Sequence, residues 1–343
     1  MSALLERPSA PAPAAAPTRP GLRGPLRVAV RQHRTALLIA AGAIAVGVLI
    51  LLGVHIWAGS VASDFAATGC SLSGSDRDCF QRDRDFSDDM FLFGRVMDYG
   101  SFFLQVLPGV LGAFVAGPMV ARELESGTYK LAWTQSVSPA RWLASKLLTL
   151  AVPVLLLVPL LTALRAWIAS SVPDSSPYPP TPWHETTTYL SLGTVPVAYA
   201  LLGIAAGALV GLLVARTVPA MSVAALALGG VFLTMLQFRD RLWPATTVTS
   251  RLDGFPSTGD GDTWWLDNGL TRADGTRMPD FACNSATLDE LPCLADRGAT
   301  GRYVDFHPES HFWPIQLVET GIVLVLTAAC VFAAFKVLGR RHA

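Results

Sequence analysis

Four groups of residues have the types and spacing for chemistry. The densest is RELESGTYKLAWTQSVSPARWLASK, spanning Arg122 to Lys146, which sets Arg122, Glu123, Glu125, Lys130, Arg141 and Lys146 around Gly127, Thr128, Tyr129 and Trp133. A second group is Asp98, Arg165 and Glu319, three ionisable residues inside or at the edge of long apolar runs. The third is Cys70, Cys79, Cys283 and Cys293, and the fourth is His307 with His311. No catalytic signature joins them. The chain lacks Gly-x-x-x-x-Gly-Lys-Ser/Thr, Gly-x-Ser-x-Gly, His-Glu-x-x-His and a dinucleotide fingerprint. Pro308 and Pro314 argue against a regular helix through the two histidines, and no Cys-x-x-Cys is present, so we expect neither catalysis nor a metal site in this chain.

The segment around Gly127 reads as a set of helix ends. A helix should stop near Glu125, with Gly127 taking the left-handed conformation that terminates it. Thr128 can cap a short helix through Tyr129, Leu131, Ala132 and Trp133. Ser138-Pro139 supplies a cap and a proline at the first helical position of the next long helix. Tyr129 and Trp133 are four residues apart and share one face, so an exposed aromatic, basic and acidic surface is expected, suited to docking a partner or to anchoring a plain connector. Glu123 and Glu125 lie where acidic side chains oppose the helix dipole. We expect that cost to be offset by basic groups on a partner, or by Arg122 and Lys130.

These groups need a scaffold, and the composition states its kind. Of 343 residues, 51% are hydrophobic and 15% charged, against about 25% charged in a soluble domain. That excludes an ordinary soluble enzyme and a disordered chain. Apolar runs of about 20 residues, long enough for a ~30 Å hydrocarbon layer, fall at Ala36–Ile56, Tyr99–Val120, Trp142–Ser170, Tyr189–Val214, Val218–Phe238 and Pro314–Val337. The expected fold is an all-α polytopic membrane protein with six transmembrane helices and a disulfide-tied outer loop region. Residues 1–35 read as a cytoplasmic tail, with a possible interfacial helix at Gly24–Arg34. Residues 36–238 hold helices one to five with a loop at 121–141, residues 239–313 an extracellular loop, and residues 314–343 helix six and a cytoplasmic tail. The segments on one face carry 14 basic and 3 acidic residues, and those on the other 11 basic and 21 acidic. Basic residues gather in short cytoplasmic segments, so both termini are expected inside, in the cell membrane.

The other side chains fit that orientation. Four of five cysteines fall in the expected outer loops, on the oxidising side. Cys70–Cys79 and Cys283–Cys293 are the local pairings, though four cysteines allow three connectivities. Asp98, Arg165 and Glu319 all fall in the expected outer third of the membrane. Either Arg165 pairs with Glu319 or Asp98, which would offset the cost of charge in lipid, or each reaches the headgroups alone. Pro153, Pro159 and Pro196 mark expected kinks.

The string Glu-Leu-Glu-Ser-Gly-Thr, with Trp133-Thr134-Gln135-Ser136-Val137, Arg141-Trp142 and Lys146 behind it, resembles the permease signature of ATP-binding-cassette (ABC) transporters of the type-2 exporter family, actinobacterial branch. His307–Gln316 followed by Glu319, and Arg31–Arg34, look like the same branch, while Pro139 departs from it where a basic residue is commoner. The resemblance implies one half of a dimeric permease, completed by a second permease copy or a paralogue. The loop holding Arg122, Glu123, Glu125, Gly127, Thr128, Tyr129, Lys130, Trp133 and Arg141 would dock a separate cytoplasmic ABC ATPase subunit. ATP and Mg would be bound there and not in this chain, which would not itself be an enzyme. A stand-alone secondary transporter would show internal repeats and charges at the midplane, and neither is evident. A membrane receptor binding a ligand in its extracellular loop would need a signalling domain that the short inner segments lack.

Overall fold

The computed structural model describes residues 30–31, 34–70, 77–134, 138–170, 181–259, 262–279, 283 and 290–340. Among these, six helical segments are long and apolar enough to cross a membrane, as expected. The first is α1 (Arg34–Ala67). The second is composite: α2 (Arg77–Gly109), a π-helical stretch (Val110–Ala116) and α3 (Gly117–Ser126). After the short α4 (Tyr129–Thr134) come α5 (Pro139–Ala169), the four-residue α6 (Thr186–Tyr189), α7 (Val195–Val214) and α8 (Thr217–Phe238). The last span is α10 (Phe312–Arg340), and a small α9 (Glu290–Asp296) belongs to the region before it. Most of the interfacial segment expected at Gly24–Arg34 lies outside the described residues.

Pro108 explains the break in the second span. It has no N–H to donate and its ring crowds the preceding turn. Two residues later the helix widens into the π-helical stretch. That wider turn brings backbone close to α7, the most buried of the six spans. Gly203, Gly207 and Gly211 recur every fourth residue along α7 and face Pro108, Gly112 and Gly117. A Cβ on Gly207 would collide with the carbonyl oxygen of Gly112. Small residues thus let two backbones touch, the packing used where no hydrophobic force separates helix from lipid.

Pro196 corrects one expectation. The fourth span begins at Val195, so Pro196 falls in its first turn rather than at a kink. There the missing N–H is one that no helix would use. Pro153 and Pro159 do lie inside α5.

The segment between α8 and α10 holds more structure than a disulfide-tied loop. Its strands β1 (Thr246–Arg251), β2 (Trp264–Arg272), β3 (Arg277–Pro279) and β4 (Ala299–His307) form an antiparallel sheet in the order β1-β4-β2-β3. The β-branched run Thr246-Thr247-Val248-Thr249 suits a strand and pairs with Phe306 back to Tyr303. Leu270, Met278, Leu294 and Ala299 form a small core beside the disulfide Cys283–Cys293. A second disulfide, Cys70–Cys79, joins the end of α1 to the start of α2. Both are the local pairings. Connectivity puts this sheet and the α1–α2 and α5–α6 connections at one end of the bundle, the sheet end. The α3–α5 and α7–α8 connections lie at the other, the loop end.

Candidate functional site

At the loop end the helix stops fall where the residue types place them. Gly127 has φ +72° and its N–H reaches back to Leu124 O at 3.4 Å. The Ser138 hydroxyl accepts from the Arg141 backbone N–H at 3.4 Å, and Pro139 opens α5. Between them α4 forms, with Lys130 N–H bonded to Gly127 O at 3.1 Å. The Thr128 hydroxyl lies 3.0 Å from that of Ser126.

Two expectations about this loop are corrected. Tyr129 and Trp133 do share a face, edge to face at 4.4 Å, but that face turns inward. They pack against Val120, Trp142, Leu143, Ala208, Leu212, Ala334 and Leu338, a cluster built from four helices. Burying two aromatic rings outweighs displaying them. The acidic residues are likewise satisfied within the chain. Glu123 accepts from Lys146 Nζ at 2.6 Å and Trp142 Nε1 at 2.9 Å, both on α5. Glu125 accepts from the Thr217 backbone N–H at 2.9 Å and hydroxyl at 2.7 Å, so it caps the start of α8. Neither leans on Arg122 or Lys130, and those two cations are exposed together with Thr128.

Toward the sheet end lie two buried polar clusters. Glu319, fully buried on α10, pairs with Arg239 at 3.1 Å and accepts from Tyr199 Oη at 2.9 Å. Arg239 also lies over the Tyr189 ring at 4.1 Å. One turn away, Gln316 Oε1 accepts from the backbone of Thr194 and Val195 at 3.2 and 3.1 Å, while its Nε2 donates to the carbonyls of Tyr189 and Leu192. Of the two alternatives for Arg165, the ion pair with Glu319 or Asp98 is not made. Arg165 donates instead to Ser101 Oγ at 2.7 Å and Thr188 Oγ1 at 3.5 Å. Asp98 accepts from the Thr181 hydroxyl at 3.5 Å. His307 is buried at the end of β4, with Nε2 2.9 Å from Asp240 O and Nδ1 3.0 Å from His311 Nδ1. Among the described residues no group of three or more His, Cys, Asp or Glu could hold a metal.

Between α2, α7 and α8 lies a half-open cavity of about 390 Å³, lined by Leu104, Gln105, Leu190, Tyr199, Leu228 and Phe232 among others, with the exposed Val110 and Phe114 also in its wall. Its wall is almost wholly apolar.

A sequence-family model described as ABC-2 membrane transporter related matches residues 39–239, well over half of the chain. The chain belongs to that family. No curated protein and no solved structure matches it. An ABC-2 type permease is a membrane transporter and in general not an enzyme, and it works with an ABC ATPase. The matched region of this ABC-2 related chain runs from α1 to Arg239 and so includes both connections at the loop end.

Several residues that build this ABC-2 related permease escaped the reading of its sequence. Arg239 was assigned to a loop because it follows the apolar run, yet it is the buried partner of Glu319. Gln316 stands out in the sequence only as the end of the string that begins at His307, with no partner to be read for it. The available signal for Arg239 was the requirement that Glu319, a charge one turn inside an apolar run, must find a cation.

Proposed function

We propose that this chain is one half of the permease of an ATP-driven exporter for a small or lipid-like molecule. A second copy or a paralogue completes the permease. A separate cytoplasmic ABC ATPase, binding ATP and Mg, drives it. The loop end then faces the cytoplasm with both termini, and the sheet faces outward from the cell membrane, in keeping with the charge asymmetry.

The observation that supports this reading is the bracing of α4. A helix this short does not hold together alone in water. Here its aromatic face packs into the bundle, and the preceding helix α3 is tied to α5 by Glu123 and to α8 by Glu125. Such a helix transmits force rather than absorbing it. With Tyr129 and Trp133 turned inward, the face left for the ATPase is the polar one bearing Arg122, Thr128 and Lys130. It fits a groove with an acidic rim, where charge sets orientation and rate of docking.

Purification of the tagged full-length chain from the membranes that produce it tests the reading. An ABC ATPase should co-purify and hydrolyse ATP, and Arg122→Glu with Lys130→Glu should weaken its retention. Purification without an ATPase, at any salt concentration, overturns the proposal.

A further inference from the structure

The two polar clusters at the sheet end differ in how firmly they hold. Arg239 and Glu319 are oppositely charged, fully desolvated and further tied by Tyr199. Gln316 makes four hydrogen bonds, all to backbone of the turn between α6 and α7. Taking either apart strands a buried charge or several buried polar groups. The α6–α7 turn therefore moves with α10 as one body. Arg165 is different. It is a buried cation whose hydrogen bonds go to two neutral hydroxyls on opposite sides, Ser101 on α2 at 2.7 Å and Thr188 on α6 at 3.5 Å, while the Asp98 carboxylate, also on α2, acts on its charge without closing an ion pair. The Thr188 contact is the long one, and it is a polar link between α5 and α6, the helix that leads into the α6–α7 turn.

Its position gives that link a consequence. Ser101 lies one turn on the sheet side of Leu104 and Gln105, which line the cavity, and Thr188 lies two residues before Leu190, which also lines it. The Ser101–Arg165–Thr188 row therefore crosses between the cavity and the sheet end. A guanidinium held by hydroxyls is suited to a contact that opens and closes. When Thr188 moves away, Arg165 keeps Ser101, and incoming water satisfies the freed donors, so charge is not left bare in either state.

We propose that the contact between Arg165 and Thr188 is the gate that separates the cavity from the sheet end. The gate rests on the transport reading, and α2 with α5 forms one leaf while the α6–α7 turn with α10 forms the other. Arg165 and Thr188 are positioning residues here, and neither is assigned a contact with cargo.

The test uses the full chain in proteoliposomes with Cys330→Ala, since the other four cysteines are in disulfides. Gly229→Cys places a thiol on the cavity wall, where an added Cβ meets nothing within 4 Å. A charged, membrane-impermeant maleimide is added from the sheet side. Labelling should be slow in this background and about fivefold faster with Thr188→Val, the change expected from losing one hydrogen bond. Thr188→Ser keeps the acceptor and should restore the slow rate. If Thr188→Val does not fold, Arg165→Lys, which keeps the charge and loses the fork, carries the same expectation. Fast labelling in the background, or equal rates with valine and serine at position 188, overturns the gate. No ATPase takes part, so this outcome is independent of whether one co-purifies.

Discussion

The carboxylate of Glu125, near the end of α3, receives both the backbone N–H and the hydroxyl of Thr217, the first residue of α8. One side chain therefore closes the end of one span and the beginning of another, 92 residues on. Glu125→Ala should remove both bonds and lower the melting temperature of the detergent-solubilised protein. Glu125→Gln retains one acceptor oxygen and should fall between the variant and the parent. Circular dichroism on heating reads the order, and identical melting of all three proteins would mean that the cap carries no stability.

The buried pair Arg239–Glu319 should respond asymmetrically. Glu319→Ala leaves an unpaired buried guanidinium and should cost about 3–5 kcal/mol. Replacing both residues with methionine removes the stranded charge and should recover most of that loss. Tyr199→Phe removes one hydrogen bond to a charged group and should cost about 1.5–3 kcal/mol. Equilibrium unfolding in mixed micelles compares the three. A double variant no better than Glu319→Ala would contradict this account.

Orientation is open to labelling from each side. Thr276 sits in the exposed turn between β2 and β3, and Thr128 at the exposed loop end. A cysteine at position 276 should react with an impermeant maleimide on intact cells, and one at position 128 only after permeabilisation. The reverse pattern would invert the proposed topology.

The sheet should be acid-sensitive at one identifiable place. Burial pushes the Asp305 carboxyl up, but the Arg277 guanidinium at 2.5 Å and the Thr247 hydroxyl outweigh burial and hold it below the usual carboxylate range. A depressed folded-state pKa contributes stability above the unfolded value of about 3.9, which is lost as pH falls through the folded value. Amide protection along β1 and β4 should therefore persist at about pH 4 and decline below it. With Arg277→Gln the decline should begin at higher pH. Hydrogen exchange corrected for intrinsic rates measures both.

The spans were legible because twenty apolar residues in a row have few other uses, and the helix stops at Gly127 and Ser138-Pro139 because backbone conformation there depends on one or two residue types. Partners of buried charges were not legible in the same way. Glu319 announced its need for a cation, but nothing local distinguishes Arg239 from other arginines in the same segment. The inward turn of Trp133 is set by Leu212 and Leu338, residues about 80 and 200 positions away in the chain, which no short window contains. The sheet was hidden because its strands are separated by glycine, aspartate and threonine, a composition equally at home in turns.

The disulfide between Cys70 and Cys79 fixes where the first two spans can part. Two rods pinned at one end can only scissor about the pin. Whatever distance opens between α1 and α2 must therefore be greatest at the loop end and least beside the bond. Any excursion of α2 at the sheet end drags α1 with it, so α1 is carried along with α2 and α5, and the stacked rings of Phe65 and Phe86 reinforce the bond.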